Sequence, residues 1–327
     1  MKAVVCKELG PPEKLAVMEV PTPQPAKGQV RIKVAACGVN YPDALIIEGK
    51  YQFRPDPPFT PGGEVAGTID ALGEGVGDWR IGQRVLALCG HGGFAEAVCV
   101  PAAQVAAIPK AMPFDEAAGF IMTYGTSHHA LKQRAALQPG ETLVVLGAAG
   151  GVGLTAVEIG RLMGARVIAA ASSEDKLALA KAYGAEAGIN YTSASLKQAI
   201  RQATGGRGAD VIYDPVGGDL CEDAFRAIAW KGRYLVIGFT AGIPQLPTNL
   251  ALLKGASLIG VFWGAFALRE PDVHRANVAE LLRWYEEGKL KPHISQAFPL
   301  DETGRAIRLL ADRKAKGKVI VTLGSGS

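Results

Sequence analysis

The hydrophobic and polar positions of the N-terminal part of the chain alternate in short stretches. Runs of a few β-branched residues are separated by turns rich in glycine and proline, which is typical of strands rather than helices. Prolines at 21, 23 and 25 predict a stiff connector, and those between 55 and 61 exclude a helix there. The residues before about 120 are therefore predicted to be mostly β. The clearest strand candidates are Gln29–Ala35, Gly67–Ile69 and Arg84–Leu88.

The pattern changes near residue 112, and a helix is predicted over Phe114–Gln133. Strands and helices then alternate, which favours a parallel sheet covered on both faces. The predicted strands are Thr142–Leu146, Arg166–Ala170, Ala187–Asn190, Val211–Asp214, Tyr234–Ile237 and Ser257–Phe262. The predicted helices between them are Gly153–Leu162, Lys176–Ala182, Ser195–Ala203, Cys221–Ala229 and Asn249–Leu253. The C-terminal region is predicted to contain two helices and a last strand, at Asp272–Glu287, Asp301–Asp312 and Lys318–Leu323.

The composition fits an α/β protein of about two domains. The 327 residues are 48% hydrophobic and include 41 glycines, which is enough apolar material for large buried cores. The formal net charge of +4 is small, and without a clustered basic face it argues against a dedicated nucleic-acid binder. No apolar stretch suits a membrane span, and the N-terminus does not resemble a signal peptide.

The cysteines indicate a reduced protein. Five of them are scattered along the chain without any C-x-x-C pair, which predicts an intracellular, cytoplasmic location. The final residues, Gly324–Ser327, have the composition of a flexible tail and are left out of the fold prediction.

The strongest local signal is a buried strand that runs into a glycine-rich turn and then a helix. Gly147, Gly150 and Gly153 are spaced as G-x-x-G-x-x-G, where a dinucleotide fingerprint has G-x-G-x-x-G. The missing Cβ atoms let the backbone approach a pyrophosphate, and the helix N-terminus offers unpaired N–H groups. We therefore expect Gly150, Gly151 and Val152 to present backbone N–H groups to the diphosphate of a dinucleotide.

The residues after the second strand of this region distinguish NADPH from NADH. An NAD enzyme places a carboxylate there to bind the ribose hydroxyls. Here the strand is followed by Ala171, Ser172 and Ser173, and then by two acidic residues and Lys176. Hydroxyls and an ammonium suit a 2′-phosphate, so NADPH is the predicted cofactor. Ser172 is also a candidate N-cap of the next helix, with Asp175 completing a capping box.

Several motifs together resemble the medium-chain dehydrogenase/reductase superfamily, in its zinc-free quinone oxidoreductase (zeta-crystallin-like) branch. They are Cys37-Gly-Val-Asn-Tyr-Pro-Asp43, Pro61-Gly-Gly-Glu-Val-Ala-Gly67, Gly82-Gln-Arg-Val85, Gly147–Gly153, Ile189-Asn-Tyr191, Asp214-Pro-Val-Gly217, Gly232-Arg233 and Gly317-Lys-Val-Ile320. The resemblance implies a GroES-like β domain of residues 1–122 and 264–327 and a Rossmann domain of residues 123–263, with the active cleft between them. It also implies an NADPH-dependent reductase of quinones or α,β-unsaturated carbonyls.

The residues also explain why no zinc is expected. Zinc-dependent members of the superfamily carry a cysteine where this chain has Asn40 and a G-H-E segment where it has Gly62-Gly63-Glu64. A catalytic zinc needs three protein ligands. Without a Lewis acid, alcohol oxidation lacks the group that stabilises its alkoxide, whereas an already electrophilic alkene or quinone needs mainly orientation and a hydrogen-bond donor.

The resemblance assigns candidate roles to individual residues. The catalytic candidates are Asn40, Tyr41, Tyr51 and Thr126, with the tyrosines as donors to the developing oxyanion. Asp43 is expected to orient neighbouring groups, and His128 or His129 is an alternative acid that the family does not support. The candidates for cofactor binding besides the glycine-rich turn are Ser172, Lys176, Tyr191, Gly238, Phe239, Thr240, Phe262 and Lys318. Tyrosine and phenylalanine at such positions are also compatible with simple packing.

Other functions remain open at this point. A 2-enoyl-CoA (acryloyl-CoA-like) reductase would need basic residues for the CoA phosphates, and Lys50, Arg54 and Arg269 are available. A non-catalytic, NADPH-binding crystallin-like protein and an RNA-binding role are further alternatives, the latter opposed by the lack of a basic, aromatic cluster. In relatives the edge strand within Lys254–Trp263 pairs with its two-fold mate, which predicts a homodimer.

Overall fold

The computed structural model describes residues 1–324 and divides them between two units. The first unit is Met1–Met122 together with the segment that begins at Pro292, and the second is Thr123–Lys291. The tail predicted at Gly324–Ser327 lies outside the described residues from Ser325 onwards. Among residues 1–324, no helix has the length and apolar character that a membrane crossing requires.

Strands dominate the first unit and alternate with helices in the second. The strands of the described residues are β1 (Lys2–Val5), β2 (Ala16–Glu19), β3 (Gln29–Val39), β4 (Glu64–Leu72), β5 (Arg84–Leu88), β6 (Ala97–Pro101), β7 (Val105–Ala107), β8 (Thr142–Leu146), β9 (Arg166–Ala171), β10 (Ala187–Asn190), β11 (Ala209–Asp214), β12 (Ile228–Val236), β13 (Ser257–Gly260), β14 (Ile294–Pro299) and β15 (Lys318–Thr322). The predictions for β5, β8 and β10 are confirmed at both ends.

The helices of the same residues are α1 (Tyr41–Ile47), α2 (Phe114–Ala118), α3 (Ile121–His129), α4 (Gly151–Leu162), α5 (Glu174–Ala182), α6 (Leu196–Ala203), α7 (Leu220–Arg226), α8 (Asn249–Lys254), α9 (Trp263–Arg269), α10 (Pro271–Glu286) and α11 (Thr303–Ala311). Helix α3 continues directly into a π-helical turn at Ala130–Arg134.

The first unit is built on a mixed sheet with the order β14-β15-β3-β4-β5-β7, and β6 also pairs with β3. Alternate residues of β3, including Val30, Ile32 and Val34, are almost fully buried, as the alternating sequence pattern requires. β3 pairs antiparallel with β4 on one side and with β15 on the other. Gly38 lies opposite Glu64, and Val39 lies opposite Val319. This register brings the end of β3 next to the starts of β4 and β15.

The second unit is a parallel sheet with the order β10-β9-β8-β11-β12-β13. The chain leaves β8 toward β9 and β10 and then returns to its other side for β11. This is the strand order of a Rossmann fold, and ligands bind such sheets at the carboxyl edge, where the order reverses. All five residues of β8 are buried, as expected of a central strand covered by helices on both faces. The loops after β8, β9, β11 and β12 therefore lie along one edge of the sheet.

Two predicted helices have the wrong bounds. The helix predicted at Phe114–Gln133 is interrupted, because α2 ends before the C-cap Gly119 and α3 begins at Ile121. The helix predicted at Cys221–Ala229 ends at Arg226, since β12 already begins two residues later. The early part of β12 pairs with β11 through a register shift, and no alternating pattern marks such an irregular strand.

The resemblance predicts that the chain returns to the first domain at residue 264. In the structure, residues 264–291 belong to the second unit instead. Helices α9 and α10 pack there on the end of α3. The ring of Phe266 stacks on that of His129 with centroids 3.7 Å apart, and Gln133 Nε2 donates to Asn277 Oδ1 at 2.9 Å. These partners are far apart in the sequence, so local patterning does not reveal them.

Candidate active site

A glycine-rich turn joins β8 to α4 at the carboxyl edge of the second unit. Gly147 has a φ of 57°, in the left-handed region that favours glycine. A Cβ at Gly153 would lie 2.2 Å from the carbonyl oxygen of Gly147, so a side chain there would push α4 away from the strand. The N–H groups of Gly151 and Val152 begin α4 and have no acceptor within the helix. They suit an anion such as a diphosphate.

One of the three expected donors is used inside the turn. The backbone N–H of Gly150 donates to the carbonyl oxygen of Gly147 at 2.9 Å. Gly150 therefore closes the turn, and the N–H groups of Gly151 and Val152 remain without an acceptor in the helix.

Buried hydroxyl groups form hydrogen bonds with the first turn of α4. Ser127 Oγ donates to the carbonyl oxygen of Val152 at 2.9 Å and lies 2.8 Å from Thr155 Oγ1 and 2.9 Å from the Tyr213 hydroxyl. The Thr155 hydroxyl also reaches the carbonyl oxygen of Thr123 at 3.1 Å. Thr126, the predicted catalytic threonine, is buried on α3 beside Ser127. α3 is thereby tied to the phosphate-binding turn.

The hydroxyl and ammonium groups predicted for a 2′-phosphate lie together after β9. Lys176 Nζ donates to Ser172 Oγ at 3.2 Å, and the backbone N–H of Tyr191 donates to the carbonyl oxygen of Ala171 at 3.2 Å. Ser172 is not the N-cap of α5 as predicted, since the helix begins one residue later and its N-cap is Ser173. Ser172 is therefore not committed to capping.

The two acidic residues of this segment have partners of their own. Glu174 Oε1 accepts from Asn190 Nδ2 at 2.9 Å, and the Asp175 carboxylate accepts from the hydroxyl of Ser173. Each carboxylate therefore has a neighbouring side chain as a hydrogen-bond donor. Lys176 places its ammonium beside the Ser172 hydroxyl.

The loops after β11 and β12 complete this edge. Asp214 Oδ1 accepts the backbone N–H groups of Val216 at 2.7 Å and Gly217 at 2.9 Å, and its other oxygen accepts from the Tyr234 hydroxyl at 2.5 Å. Burial raises the pKa of the Asp214 carboxyl. The Thr240 hydroxyl donates to the carbonyl oxygen of Pro215 at 3.3 Å. One loop is therefore tied to the other.

The predicted aromatic contacts of this unit are accessible. Phe239, which follows Gly238 in the loop after β12, is 41% exposed, and Phe262 is 55% exposed just before α9. Neither ring is part of the core, so packing inside this unit does not account for them.

The first unit contains a buried ion pair at the strand ends brought together by β3, β4 and β15. Lys318 Nζ donates to Glu64 Oε2 at 2.9 Å and to Asn40 Oδ1 at 2.5 Å. The side chains of Lys318 and Glu64 are 6% and 0% exposed. Glu64 Oε1 accepts the backbone N–H of Met122 at 2.8 Å. Lys318 was expected to contact the cofactor, and the structure shows that its ammonium is held by these two residues.

The amide of Asn40 is also engaged within the protein. Its Nδ2 atom donates to the carbonyl oxygen of Gly38 and to Glu64 Oε2, both at 3.1 Å. An amide nitrogen carries two protons, and both have acceptors here. Asn40 can therefore offer a ligand only a lone pair of its oxygen, unless its bonds rearrange.

Asp43 lies near this ion pair, and Tyr51 lies near Asp43. Asp43 Oδ2 accepts the backbone N–H of Asn40 at 2.7 Å, as an orienting residue should. Burial raises the pKa of the Asp43 carboxyl to about 7. Burial and the Asp43 charge raise the pKa of Tyr51, which is therefore a neutral phenol at pH 7. Tyr41 is the first residue of α1 and is half-buried.

The histidines considered as alternative acids are packing residues in the second unit. His128 Nε2 lies 2.7 Å from Glu280 Oε2 on α10, and His129 stacks on Phe266. The neighbouring Tyr124 donates its hydroxyl to Glu158 Oε2 at 2.7 Å. The rings of all three residues therefore pack between helices of the second unit.

Known proteins match both units. The family model described as "Alcohol dehydrogenase GroES-like domain" matches residues 26–110, and the one described as "Zinc-binding dehydrogenase" matches residues 151–286. The quinone oxidoreductase-like protein 2 homolog of Nematostella vectensis is 40% identical over 98% of this chain and 88% of its own length. The quinone oxidoreductase of Rattus norvegicus is 32% identical over 99% and 98%.

The chain belongs to the medium-chain dehydrogenase/reductase superfamily, in its quinone oxidoreductase-like family. It is therefore an oxidoreductase. Among solved structures, mycobacterial Rv1454c complexed with NADPH is similar, with a TM-score of 0.92 and 29% identity over 99% of this chain and 100% of that one. The CurK enoyl reductase has a TM-score of 0.90 and 29% identity over 99% of each chain.

The residues of this medium-chain dehydrogenase/reductase do not fit a catalytic zinc ion. Among residues 1–324, no cluster of three or more histidine, cysteine or acidic side chains could hold a metal. Both oxygens of Glu64 accept hydrogen bonds, and the Lys318 ammonium lies against Asn40, the position where zinc-dependent members carry a cysteine. Asn40 and an ammonium do not provide the three ligands that a zinc site needs.

Sequence reasoning missed several residues of this family member's site. The sequence motifs predict no role for Glu64 beyond its place beside a missing zinc ligand, and they predict none for Ser127, Thr155 or Tyr213. The sequence does carry one weak signal for Glu64, which is a carboxylate directly before the apolar residues Val65 and Ala66. Such a residue needs a buried partner, although the sequence does not say that the partner is Lys318.

We expect Gly153→Ala to weaken dinucleotide binding by roughly tenfold or more, a loss of about 1.4 kcal/mol. The added Cβ would meet the Gly147 carbonyl at 2.2 Å and move the start of α4 out of the turn. Titration with the reduced dinucleotide, followed by nicotinamide fluorescence, measures the affinity.

Gly77→Ala is the matched control, because a Cβ at Gly77 meets nothing within 4 Å. An unchanged affinity in Gly153→Ala would contradict the assignment of this turn to the diphosphate.

Proposed function

We propose that this protein is an NADPH-dependent, zinc-independent reductase that transfers a hydride to a quinone or another α,β-unsaturated carbonyl compound. The observation that carries the proposal is the pairing of Lys176 with Ser172 beside the glycine-rich turn. It offers positive charge and a hydroxyl at the place where an NAD enzyme holds a carboxylate. The NADPH complex of the similar mycobacterial protein supports the same cofactor.

The second unit offers groups for each part of NADPH. The amides of Gly151 and Val152 would hold the diphosphate, and Ser172, Lys176 and Tyr191 would hold the phosphorylated ribose. Further candidate contacts on the same unit are Gly238, Phe239, Thr240, Phe262 and Thr126. When bound, the dihydronicotinamide supplies the hydride.

The first unit supplies polar groups for the acceptor. Asn40, Tyr51 and Tyr41 remain our candidates for contact with it. The poor fit to zinc supports acceptors that are already electrophilic, since no Lewis acid is then needed to polarise an alcohol or carbonyl. A quinone or enone meets this condition because conjugation makes its accepting carbon electron-poor.

A 2-enoyl-CoA reductase is the alternative, and the similarity to the CurK enoyl reductase favours it. Two of the basic residues that would receive CoA phosphates already have acceptors in the protein. Lys50 pairs with Glu48 at 2.6 Å, and Arg54 Nε donates to the carbonyl oxygen of Tyr51 at 3.0 Å. Quinones and simple enones therefore stay the preferred class.

The function is tested by following NADPH oxidation with a panel of acceptors. The panel contains 1,4-naphthoquinone, 9,10-phenanthrenequinone, a 2-alkenal and acryloyl-CoA, each assayed with and without a zinc chelator. We expect turnover of quinones or enones that the chelator does not reduce. Turnover of acryloyl-CoA alone would favour the alternative, and inactivity with every acceptor would count against a reductase.

Lys176→Ala should weaken NADPH binding by about 10- to 100-fold, because a charge-assisted hydrogen bond contributes about 1.5–3 kcal/mol. NADH lacks the 2′-phosphate, so its binding should change little. Titration of both dinucleotides measures the ratio.

Lys181→Ala provides the matched control, since Lys181 is exposed on the same helix. Equal losses for NADPH and NADH in Lys176→Ala would refute the phosphate role.

The strand β13 supports a homodimer. It is the last strand of its sheet and ends at Gly260, before the predicted Phe262. Leu252, Leu253 and Leu258 on and before this edge are 80%, 65% and 54% exposed. An apolar edge strand invites pairing with another strand, and a two-fold mate is the simplest partner.

Leu258→Lys should convert the dimer to a monomer, because it places a charge in the proposed pairing surface. Sedimentation at several protein concentrations measures the mass. Ile243→Lys is the control, since Ile243 is 82% exposed in a loop outside the edge strand. A wild-type monomer, or a Leu258→Lys protein that stays dimeric, would exclude this interface.

The location is proposed from the cysteines. All five are free thiols, and three of them are buried. Unpaired cysteines in this number suit the reducing environment of the cytoplasm, which is where we place the enzyme.

A further inference from the structure

The buried side chain of Lys318 packs against two glycines of the first unit. A Cβ at Gly38 would lie 3.0 Å from Lys318 Cε, and a Cβ at Gly119 would lie 2.7 Å from its Cγ. Two residues without side chains therefore leave room for the lysine stem. Taking an ammonium and a carboxylate out of water costs several kcal/mol per ion, and an ion pair is often no more stable than apolar residues in its place. Stability alone is thus a poor reason for this arrangement.

Counting protons identifies the group that can act on a ligand. An ammonium has three protons, and Lys318 uses two of them for Asn40 Oδ1 and Glu64 Oε2. Both amide protons of Asn40 are used for Gly38 and Glu64. Among the hydrogen bonds of the described residues, the third Lys318 proton is the one donor of this pair that has no acceptor.

We propose that Lys318 is a catalytic residue, and that its third ammonium proton donates a hydrogen bond to the carbonyl oxygen of the acceptor. Asn40 and Glu64 are then positioning residues that hold the ammonium. This inference rests on the proposed function and moves Lys318 from cofactor binding to the acceptor.

The chemistry needs positive charge at that oxygen. A bound dihydronicotinamide would supply a hydride, with its electron pair, and a C–H bond would form at the electron-poor carbon of the acceptor. The electron pair of the C=C π bond shifts so that the carbonyl oxygen becomes an enolate oxygen. A proton from water then completes the product, and the cofactor is left oxidised. A fixed ammonium stabilises the enolate more than the neutral carbonyl, which lowers the barrier.

The test compares two variants with the wild type. Lys318→Met removes the charge and keeps the length of the side chain, but it leaves Glu64 as an unpaired buried carboxylate. The double variant Glu64→Gln with Lys318→Met removes both charges and should restore thermal stability toward that of the wild type. Lys33→Met, at an exposed lysine of β3 in the same unit, is the control for loss of a charge.

Three quantities are measured for each protein: the unfolding temperature, the Kd for NADPH, and kcat with an acceptor on which the wild type is active. We expect kcat to fall by about 100- to 1,000-fold in both Lys318 variants, as for the loss of an oxyanion donor. The Kd for NADPH should stay within about twofold. Low activity in a double variant that is as stable as the wild type would show that the charge, and not the fold, is lost.

Two results would overturn the proposal. If the double variant recovers both stability and kcat, Lys318 is a structural residue. If the Kd for NADPH rises while kcat at saturating NADPH is unchanged, Lys318 binds the cofactor as first expected. A wild type inactive with every acceptor would instead refute the proposed function, so the two failures are distinguishable.

Discussion

A carboxylate and an ammonium that are both removed from water can persist only if they meet, and this requirement organises the polar centre of the first unit. Lys318 and Glu64 are 254 residues apart in the sequence, yet their atoms lie 2.9 Å apart. They meet because β3 lies between β4 and β15, and the register sets Gly38 opposite Glu64. A shift of one residue in either pairing would turn one charge away from the other. The ion pair and the register therefore depend on each other.

In the second unit, neutral groups hold the glycine-rich turn in place. Its glycine-rich turn must present N–H groups to an anion, so nearby negative charge has to be kept off that surface. Ser127, Thr155 and Tyr213 hold the turn with hydroxyls, which carry no charge. Asp214, a carboxylate at this edge, has its oxygens occupied by backbone N–H groups and by the Tyr234 hydroxyl. These oxygens are therefore already engaged within the protein, and the N–H groups at the start of α4 remain suited to a diphosphate.

Much of this fold follows from local patterns in the sequence. Strands β8 and β10 and the glycine-rich turn were predictable because strand burial, glycine spacing and helix starts are local properties. The early start of β12 was not, since its register-shifted pairing with β11 overrides helix propensity there. The contacts of residues 264–291 with α3 also join distant parts of the chain.

In the candidate site too, motifs indicate single residues, whereas their contacts depend on how distant strands pair. Resemblance pointed to Asn40 as a residue of the nicotinamide and substrate pocket and to Lys318 as a cofactor contact, without a link between the two. Their mutual bond, and the use of both Asn40 amide protons, depend on the three-strand arrangement. Composition could reveal that Glu64 needed a partner, but only the geometry names it.

The nature of the cation limits the chemistry that the first unit can support. A zinc ion accepts a lone pair and can lower the pKa of a bound alcohol, whereas an ammonium only donates hydrogen bonds. A lysine at this place can therefore stabilise charge that develops on an oxygen, but it cannot generate an alkoxide from an alcohol at neutral pH. For the proposed reductase this favours reduction of conjugated acceptors over oxidation of alcohols.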